Sequence, residues 1–320
     1  MPISADATLA RVWGAKLIGL VTGLAAGLAI GLAAVLVSGP THSISDGCGH
    51  SPRGLPHCGA VLGAAYGSNT DPTGWERRMG RNLGVHRTYH AATDVAAAIT
   101  TVEQDLAAQR VPWISFTLPH SWTDMADGKG DAWVQDLATR LATTDGAVWV
   151  AFHHEPEGDG DIAEWTRMQA RLAPLVRAAA PNVAYSIILT GWNQFHGPAG
   201  YRLDALMPNT KIDLLGIDVY DTFGVNGSRE HTPMKAGFFT KIQAWTKAHT
   251  MAWGLAETGL TDESAADNPG WFRQTYADLV ATHGVALTYF NADVNATASW
   301  KLSGSKQRGF AEALRSTPVL

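Results

Sequence analysis

The pattern that most restricts the fold of this chain starts at residue 58, where a short apolar run, a polar turn and an amphipathic helical pattern follow one another and then recur. The apolar runs have the length and the β-branched and aromatic content of buried strands. We predict strands at residues 60–66, 84–89, 113–118, 148–153, 184–189, 214–219, 252–256 and 286–290. Eight strands that alternate with helices over about 260 residues are typical of a parallel (β/α)8 barrel, the TIM barrel. The alternative is a doubly wound open sheet, but no GxGxxG or phosphate-binding loop follows the first strand.

Helical periodicity fills the segments between these strands. Residues 95–109, 162–179 and 272–282 each place apolar side chains along one helical face. Each segment is followed by a helix breaker, namely Pro112, Pro181 and Gly284. We therefore predict a layer of helices around the barrel, which would occupy residues 58–320.

The amino-terminal region has the pattern of a membrane segment. Residues 17–38 contain no charge and are long enough to cross about 30 Å of hydrocarbon as a helix. The length of this run and the weak cleavage sites after it favour an uncleaved signal anchor over a cleaved signal peptide. Arg11 and Lys16 precede it, which predicts residues 1–16 in the cytoplasm and the barrel at the cell surface, or secreted if the segment is cleaved. Residues 39–57 are expected to form a linker.

Four glycines recur at every fourth position of the apolar run: Gly19, Gly23, Gly27 and Gly31. Such spacing lines one helical face with small residues and permits self-association of membrane helices. The alternative is that glycine is simply common in membrane segments of an alanine-rich protein.

Cys48 and Cys58 are the two cysteines of the chain, and both would lie outside the membrane. A disulfide that closes a small loop is the natural interpretation in an oxidising compartment. A metal site that includes His50 and His57 is the alternative, but the spacing fits no known ligand pattern.

Composition excludes some functions and favours others. A formal net charge of −5 and a pI near 6.2 argue against nucleic-acid binding. The 12 tryptophans are many for a chain of 320 residues, and tryptophan is a side chain on which sugar rings stack, so the excess slightly favours a carbohydrate ligand.

Two apolar runs end in carboxylates. Residues 147–152 lead directly into His153, His154 and Glu155, and residues 251–256 lead into Glu257. In α/β folds the chemistry lies at the carboxyl ends of parallel strands. Two carboxylates that face each other across a cleft suit the cleavage of a glycosidic bond, because one protonates the leaving oxygen while the other meets positive charge at the sugar carbon.

Other polar and aromatic residues are expected at the same end of the barrel. For His153 and Glu157 a structural role is as plausible as a functional one. Histidines, amides and aromatics near strand ends suggest a sugar-binding cleft; its predicted contacts are His90, Trp122, His154, Trp192, Asn193, Tyr220 and Phe290. A zinc site is less well supported, because there is no HExxH and the histidines are scattered. No cofactor is predicted.

Several short motifs are similar to those of one enzyme family. They are Phe152-His153-His154-Glu155, Gly216-Ile217-Asp218-Val219-Tyr220, Glu257-Thr258-Gly259, Tyr289-Phe290-Asn291 and Ser299-Trp300-Lys301-Leu302. Their order and strand positions over roughly residues 58–316 resemble the family-26 glycoside hydrolases, which are barrels of clan A.

The resemblance implies a retaining β-glycosidase, with β-mannanase as the best-known activity. It implies that Glu155 is the general acid/base, Glu257 the nucleophile, His154 a hydrogen-bonding neighbour of the acid/base and Tyr220 the residue that holds the nucleophile. Two departures bear on the choice of sugar. Ala151 stands where the family's mannanases typically carry arginine, and Gly158-Asp159-Gly160 replaces an aromatic loop.

Two alternatives to a glycosidase of this kind remain. One is a non-catalytic carbohydrate-binding barrel at the cell surface. The other is a metal-dependent polysaccharide deacetylase or hydrolase that uses the histidine-rich end of the barrel.

Overall fold

The computed structural model describes residues 49–292 and 299–317. Within them, eight parallel strands form a closed barrel in sequence order, and the last strand pairs with the first. The strands are β1 Val61–Tyr66, β2 Val85–His90, β3 Val111–Phe116, β4 Val148–Phe152, β5 Val183–Leu189, β6 Leu214–Asp218, β7 Ala252–Thr258 and β8 Gly284–Asn291. The predicted parallel (β/α)8 barrel is therefore confirmed, with strand ends displaced by a residue or two.

Helices follow the strands and cover the outside of the barrel. They are α1 Thr73–Met79, α2 Val95–Ala107, α3 Trp122–Ala126, α4 Asp131–Ala142, α5 Ile162–Ala179, α6 Trp192–His196, α7 Leu203–Leu206, α8 Thr240–Ala248, α9 Asp262–Asp267, α10 Trp271–Ala281 and α11 Gly304–Ser316. The three helical segments predicted from periodicity correspond to α2, α5 and α10. Their apolar faces and the outward side chains of the strands form one large buried cluster.

A second buried cluster fills the barrel interior. The indoles of Trp113 and Trp149 lie edge to face with ring centroids 5.2 Å apart, and Trp113 Nε1 donates to Ser186 Oγ at 3.0 Å. Gly216 makes room for them, since a Cβ there would come within 2.9 Å of the Trp113 ring. Because this interior is packed, a ligand can be reached only at an end of the barrel.

Residues 49–57, expected as the end of a linker, close the amino-terminal end of the barrel. Leu55 packs against the interior cluster, and Arg53 forms a 3.0 Å ion pair with Asp213 just before β6. Trp149 Nε1 donates to the carbonyl of Arg53 at 2.9 Å. The carboxyl ends of the strands, here called the mouth of the barrel, lie at the opposite end.

The predictions for the amino-terminal region fall outside the described residues. These are the cytoplasmic segment 1–16, the anchor 17–38 and its glycine spacing. In the described part of the chain no helix is long and apolar enough to cross a membrane. Cys48 is also outside that part, so its disulfide with Cys58 stays a prediction, although no described cysteine is free.

Candidate active site

A register irregularity aims Glu257 into the mouth of the barrel. Ile217 of β6 pairs with Leu255 of β7, but the next residue, Asp218, pairs with Glu257, which leaves Ala256 as an extra residue on β7. A bulge of this kind shifts the following side chains to the other face of a strand. Without this extra residue, the side chain of Glu257 would point to the outside of the barrel, as the side chain of Leu255 does. Glu257 was expected just after the strand, and it lies instead inside β7.

Two tyrosines hold the carboxylate of Glu257, one on each oxygen. The hydroxyl of Tyr89 on β2 donates to Oε1 at 2.7 Å, and the hydroxyl of Tyr220, just after β6, donates to Oε2 at 2.8 Å. Both hydroxyls stay protonated, because burial first and the charge of Glu257 second raise the pKa of each tyrosine well above 10. They fix the orientation of the carboxylate.

Arg87 places a positive charge beneath this carboxylate. Its guanidinium is fully buried, lies 4.4 Å from the centre of the Tyr89 ring, and has Nη2 3.9 Å from Glu257 Oε1. Nε and Nη2 of Arg87 have no hydrogen-bond partner among the described residues. The charge therefore acts on the carboxylates of the mouth through space. Position 151 on β4 carries alanine, so the guanidinium of this site comes from β2.

Glu155 reaches the mouth through an unusual backbone path. After β4 both His153 and Glu155 adopt left-handed backbone angles, with φ of +47° and +51°, and the Glu155 amide donates to the carbonyl of Ile188 on β5 at 2.9 Å. Non-glycine residues rarely adopt this conformation, and such strain is concentrated at functional sites.

The carboxyl group of Glu155 is tuned to keep its proton. Burial first, then the negative charges of Glu257 and Glu157, raise the pKa of Glu155 to about 8, against the opposing effect of Arg87. At neutral pH Glu155 is therefore protonated and can act as an acid beside Glu257.

Asp218 completes a group of three carboxyls. Its carboxyl interacts with that of Glu155, and both of its buried oxygens lack a hydrogen-bond donor among the described residues. Burial, followed by the charges of Glu257 and Glu155, raises the pKa of Asp218 well above 3.8. Each carboxyl raises the pKa of its neighbour when charged, so the titrations of Asp218 and Glu155 are linked.

His154 and Phe290 complete the aromatic wall of the site. The His154 ring lies 5.6 Å from the Tyr89 ring, and burial together with Arg87 lowers the pKa of His154 well below 6.5, so it is neutral. Phe290 lies between the two tyrosines, with ring centroids 6.3 Å from Tyr89 and 6.4 Å from Tyr220.

Two of the predicted contacts are not brought to the carboxylates. His90 is buried on the outer face of β2, where Nε2 bonds with Thr88 Oγ1 at 3.0 Å and the ring packs on Phe116. Trp122 is buried at the start of α3, with its ring 4.8 Å from that of His153. Strand alternation explains the placement of His90, because Arg87 and Tyr89 take the inward positions of β2.

Trp192 and Asn193 lie at the edge of the mouth, in the short helix α6 directly after β5. Trp192 is 61% exposed, and Asn193 Nδ2 donates to Thr190 Oγ1 at 3.1 Å. Both are beside the strand to which the Glu155 amide bonds.

Tyr89 is the residue that sequence reasoning missed. It stands one position before the predicted contact His90 and two after Arg87, and side chains two apart on a strand share a face. Strand periodicity could therefore have found it. Asp218 was expected at the end of its strand, but nothing in its local sequence indicates an interaction with Glu155.

No group of three or more His, Cys, Asp or Glu side chains in the described ranges could hold a metal ion. The histidines near the mouth are used singly: His153 Nε2 bonds with Asp159 at 3.0 Å, and His154 faces Tyr89.

No protein-family model matches this chain, and no curated protein matches it. Solved structures with the same barrel do match. A family-26 β-mannanase from Bacteroides ovatus is 16% identical with a TM-score of 0.57, over 81% of this chain and 89% of its own. A family-26 endo-β-1,4-mannanase from Cellulomonas fimi is 16% identical with a TM-score of 0.60, over 82% of this chain and 71% of its own.

Fungal β-1,4-galactanases share the fold to the same degree. Their structure is 14% identical with a TM-score of 0.60, and the match covers 80% of this chain and 98% of theirs. The barrel is thus the one found in these glycoside hydrolases, as the motif resemblance to family 26 implied. At such identities the likeness concerns the fold.

Proposed function

We propose that this protein is a retaining glycoside hydrolase that cleaves a β-linked polysaccharide with Glu257 as nucleophile and Glu155 as acid/base. The observation that carries the proposal is the contrast between the two glutamates. Glu257 is held between two tyrosine hydroxyls, whereas the neighbouring Glu155 has a pKa raised to about 8. One ionised and one protonated carboxyl are what double displacement requires.

The proposed reaction proceeds in two steps. Glu257 attacks the anomeric carbon while Glu155 gives its proton to the leaving oxygen, so that a covalent glycosyl-enzyme forms. Its formation neutralises Glu257 and removes one cause of the raised pKa of Glu155. Glu155 then deprotonates the water that releases the sugar with its β-configuration retained.

The proposed substrate is a β-mannan-like polymer or a β-glucan. Family-26 mannanases among the similar structures support the first. Ala151 and the loop Gly158-Asp159-Gly160 depart from the mannanase pattern, so β-glucan stays a candidate substrate. The likeness to β-1,4-galactanases adds a third polymer to test.

The test is reducing-sugar release by the purified chain from β-mannan, β-glucan, β-1,4-galactan and xylan. Glu155→Gln and Glu257→Gln should each abolish activity, whereas Glu263→Gln, which alters an exposed acid paired with Arg229, should not. The first product should carry the β-anomer by NMR. Polymer binding without cleavage would favour the non-catalytic barrel, and activity lost to a chelator would favour the metal-dependent alternative.

The charge-free run 17–38 supports a location at the cell surface, with this segment as anchor. Fractionation of cells that express the chain tests this part of the proposal. Recovery of the protein in the cytosolic fraction would contradict it.

A further inference from the structure

Asn69 makes two hydrogen bonds to the backbone of Tyr89, one of the two tyrosines that hold Glu257. The amide of Tyr89 donates to Asn69 Oδ1 at 2.9 Å, and Asn69 Nδ2 donates to the carbonyl of Tyr89. Asparagine suits this arrangement because its side chain offers one acceptor and one donor group, as a peptide unit does. The two residues are 20 positions apart, so the contact joins the loop after β1 to the end of β2.

These two bonds take the place of a strand that has already ended. On the side of β3, the pairing of β2 continues through Tyr89 and His90. On the side of β1, the last paired residues are Ala65 and Arg87, two positions before Tyr89. Without Asn69, the amide and carbonyl of Tyr89 would therefore have no strand partner on this side. The side chain of Asn69 extends the β1–β2 ladder by one pair of bonds.

The turn that carries Asn69 is itself fixed to the barrel. The amide of Gly67 donates to the carbonyl of Asn291, the last residue of β8, at 3.1 Å, and the amide of Thr70 donates to the carbonyl of Tyr66 at 3.0 Å. Asn69 has φ of +55°, a left-handed conformation that asparagine adopts more readily than most residues. This turn holds the half-buried Asn69 side chain against β2.

The backbone position of Tyr89 matters because its hydroxyl lies at the far end of a long side chain. The Tyr89 ring packs on the guanidinium of Arg87 at 4.4 Å and on the ring of Phe290 at 6.3 Å. Aromatic packing tolerates small shifts of a ring, whereas a hydrogen bond weakens steeply with distance and angle. The backbone of Tyr89 therefore sets how well its hydroxyl meets Oε1 of Glu257, now 2.7 Å away.

We propose that Asn69 is a positioning residue for the nucleophile: it completes the ladder beside Tyr89 and thereby holds the Tyr89 hydroxyl on Glu257. This inference rests on the proposed function, in which Glu257 attacks the sugar. Because Asn69 acts through Tyr89, its effect on the reaction should vanish once the Tyr89 hydroxyl is removed. A residue that merely supports the fold would have the same effect with or without that hydroxyl.

The variant Asn69→Gly removes both bonds without straining the turn, because glycine adopts φ of +55° freely. The substrate is the 2,4-dinitrophenyl β-glycoside of the disaccharide from whichever test polymer the wild-type chain cleaves fastest. Its leaving group departs without a proton from Glu155, so kcat/KM reports the attack by Glu257. We expect Asn69→Gly to lower kcat/KM about tenfold in the wild-type background and less than about twofold in the Tyr89→Phe background.

Hydrogen exchange at the Tyr89 amide provides a readout that requires no activity. This amide is bonded to Asn69 Oδ1, so Asn69→Gly should speed its exchange by about tenfold. Asn226→Gly is the matched control, because Asn226 is an exposed asparagine with φ of +48° in the loop between β6 and α8. It should change neither the exchange at Tyr89 nor kcat/KM.

Equal changes of kcat/KM in the two backgrounds would overturn the inference and leave the glycosidase in place. An unchanged exchange rate at Tyr89 would do the same, since the ladder would then not depend on Asn69. A wild-type chain that hydrolyses neither the polymers nor the aryl glycoside would overturn the proposed function, and with it the role of Asn69 in the reaction.

Discussion

The hydroxyl of Tyr89 lies 2.7 Å from Oε1 of Glu257, although 168 residues separate the two along the chain. Closure of the barrel brings β2 and β7 to opposite sides of one mouth. Together with Tyr220 on the second oxygen, Tyr89 fixes the carboxylate in one orientation before substrate arrives. Such preorganisation is what makes a carboxylate an effective nucleophile.

Removal of the Tyr89 hydroxyl should slow the chemical step. A hydrogen bond to a charged group contributes about 1.5–3 kcal/mol, so Tyr89→Phe should lower kcat by about 10- to 100-fold, with a smaller change in KM. Steady-state kinetics on the cleaved polymer measure this, with Tyr66→Phe, whose ring stacks on Trp75, as the control. A loss of less than twofold would show that Tyr220 alone positions Glu257.

The pH profile should report the proton of Glu155. Because this group must be protonated to assist departure, kcat/KM should fall as pH rises above the Glu155 pKa of about 8. The negative charge of Glu157 contributes to that raised pKa after burial and Glu257. Glu157→Gln should therefore move the alkaline limb to lower pH.

Arg87 provides the opposite control for this profile. Its positive charge lowers the pKa of Glu155, so Arg87→Met should move the alkaline limb to higher pH. If Glu157→Gln and Arg87→Met moved the alkaline limb in the same direction, that limb would report the proton of a group other than Glu155.

Replacement of Glu155 should stabilise the fold at alkaline pH. An unfolded glutamate has a pKa near 4.5, and the folded value is about 8, so between these values the folded state retains a proton that the unfolded state has lost. The stability of the wild-type chain thus declines as pH rises through this window, and the decline is complete above pH 8. Glu155→Gln carries no such penalty and should raise Tm by about 2–4 °C at pH 9 and by less at pH 5. Thermal melts at the two pH values test this, and a lower Tm for the variant at pH 9 would contradict it.

Glycine in place of Thr250, at the end of α8, should stabilise the folded protein. Thr250 follows α8 with φ of +50°, a left-handed conformation that is costly for a β-branched residue and free of strain for glycine. Thr250→Gly should raise the free energy of unfolding by about 0.5–1 kcal/mol after the entropy of the unfolded glycine is deducted. Urea denaturation measures the change. Thr143→Gly, at a helix end with φ of −88°, is the control and should give no gain.

Much of the fold could be predicted from periodicity, because each strand and each helix is encoded by residues close together in sequence. The eight apolar runs and the faces of α2, α5 and α10 are local patterns of this kind. The boundaries were less accurate, since the end of β7 depends on pairing with β6 and β8.

The candidate site likewise contains residues that the local sequence predicts and residues that it does not. Glu155 and Glu257 were identifiable because an ionisable residue at the end of an apolar run is costly unless it has a use. Tyr89 and the interaction of Asp218 with Glu155 were not, since both depend on strands that are distant in sequence. His90 was expected in the cleft, but it lies on the outward face of β2, where it contacts Thr88 and Phe116.

The sequence by itself determined the number and order of the strands, the two glutamates and the motifs around them, because short-range hydrophobic and backbone preferences suffice to specify these features. Only the tertiary structure decided which way the glutamates point. The extra residue Ala256 turns Glu257 into the mouth, and the left-handed backbone at Glu155 carries its side chain to Asp218. The raised pKa of Glu155 likewise arises from burial and from charges on other strands, and electrostatic coupling of this kind exists only after the barrel has closed.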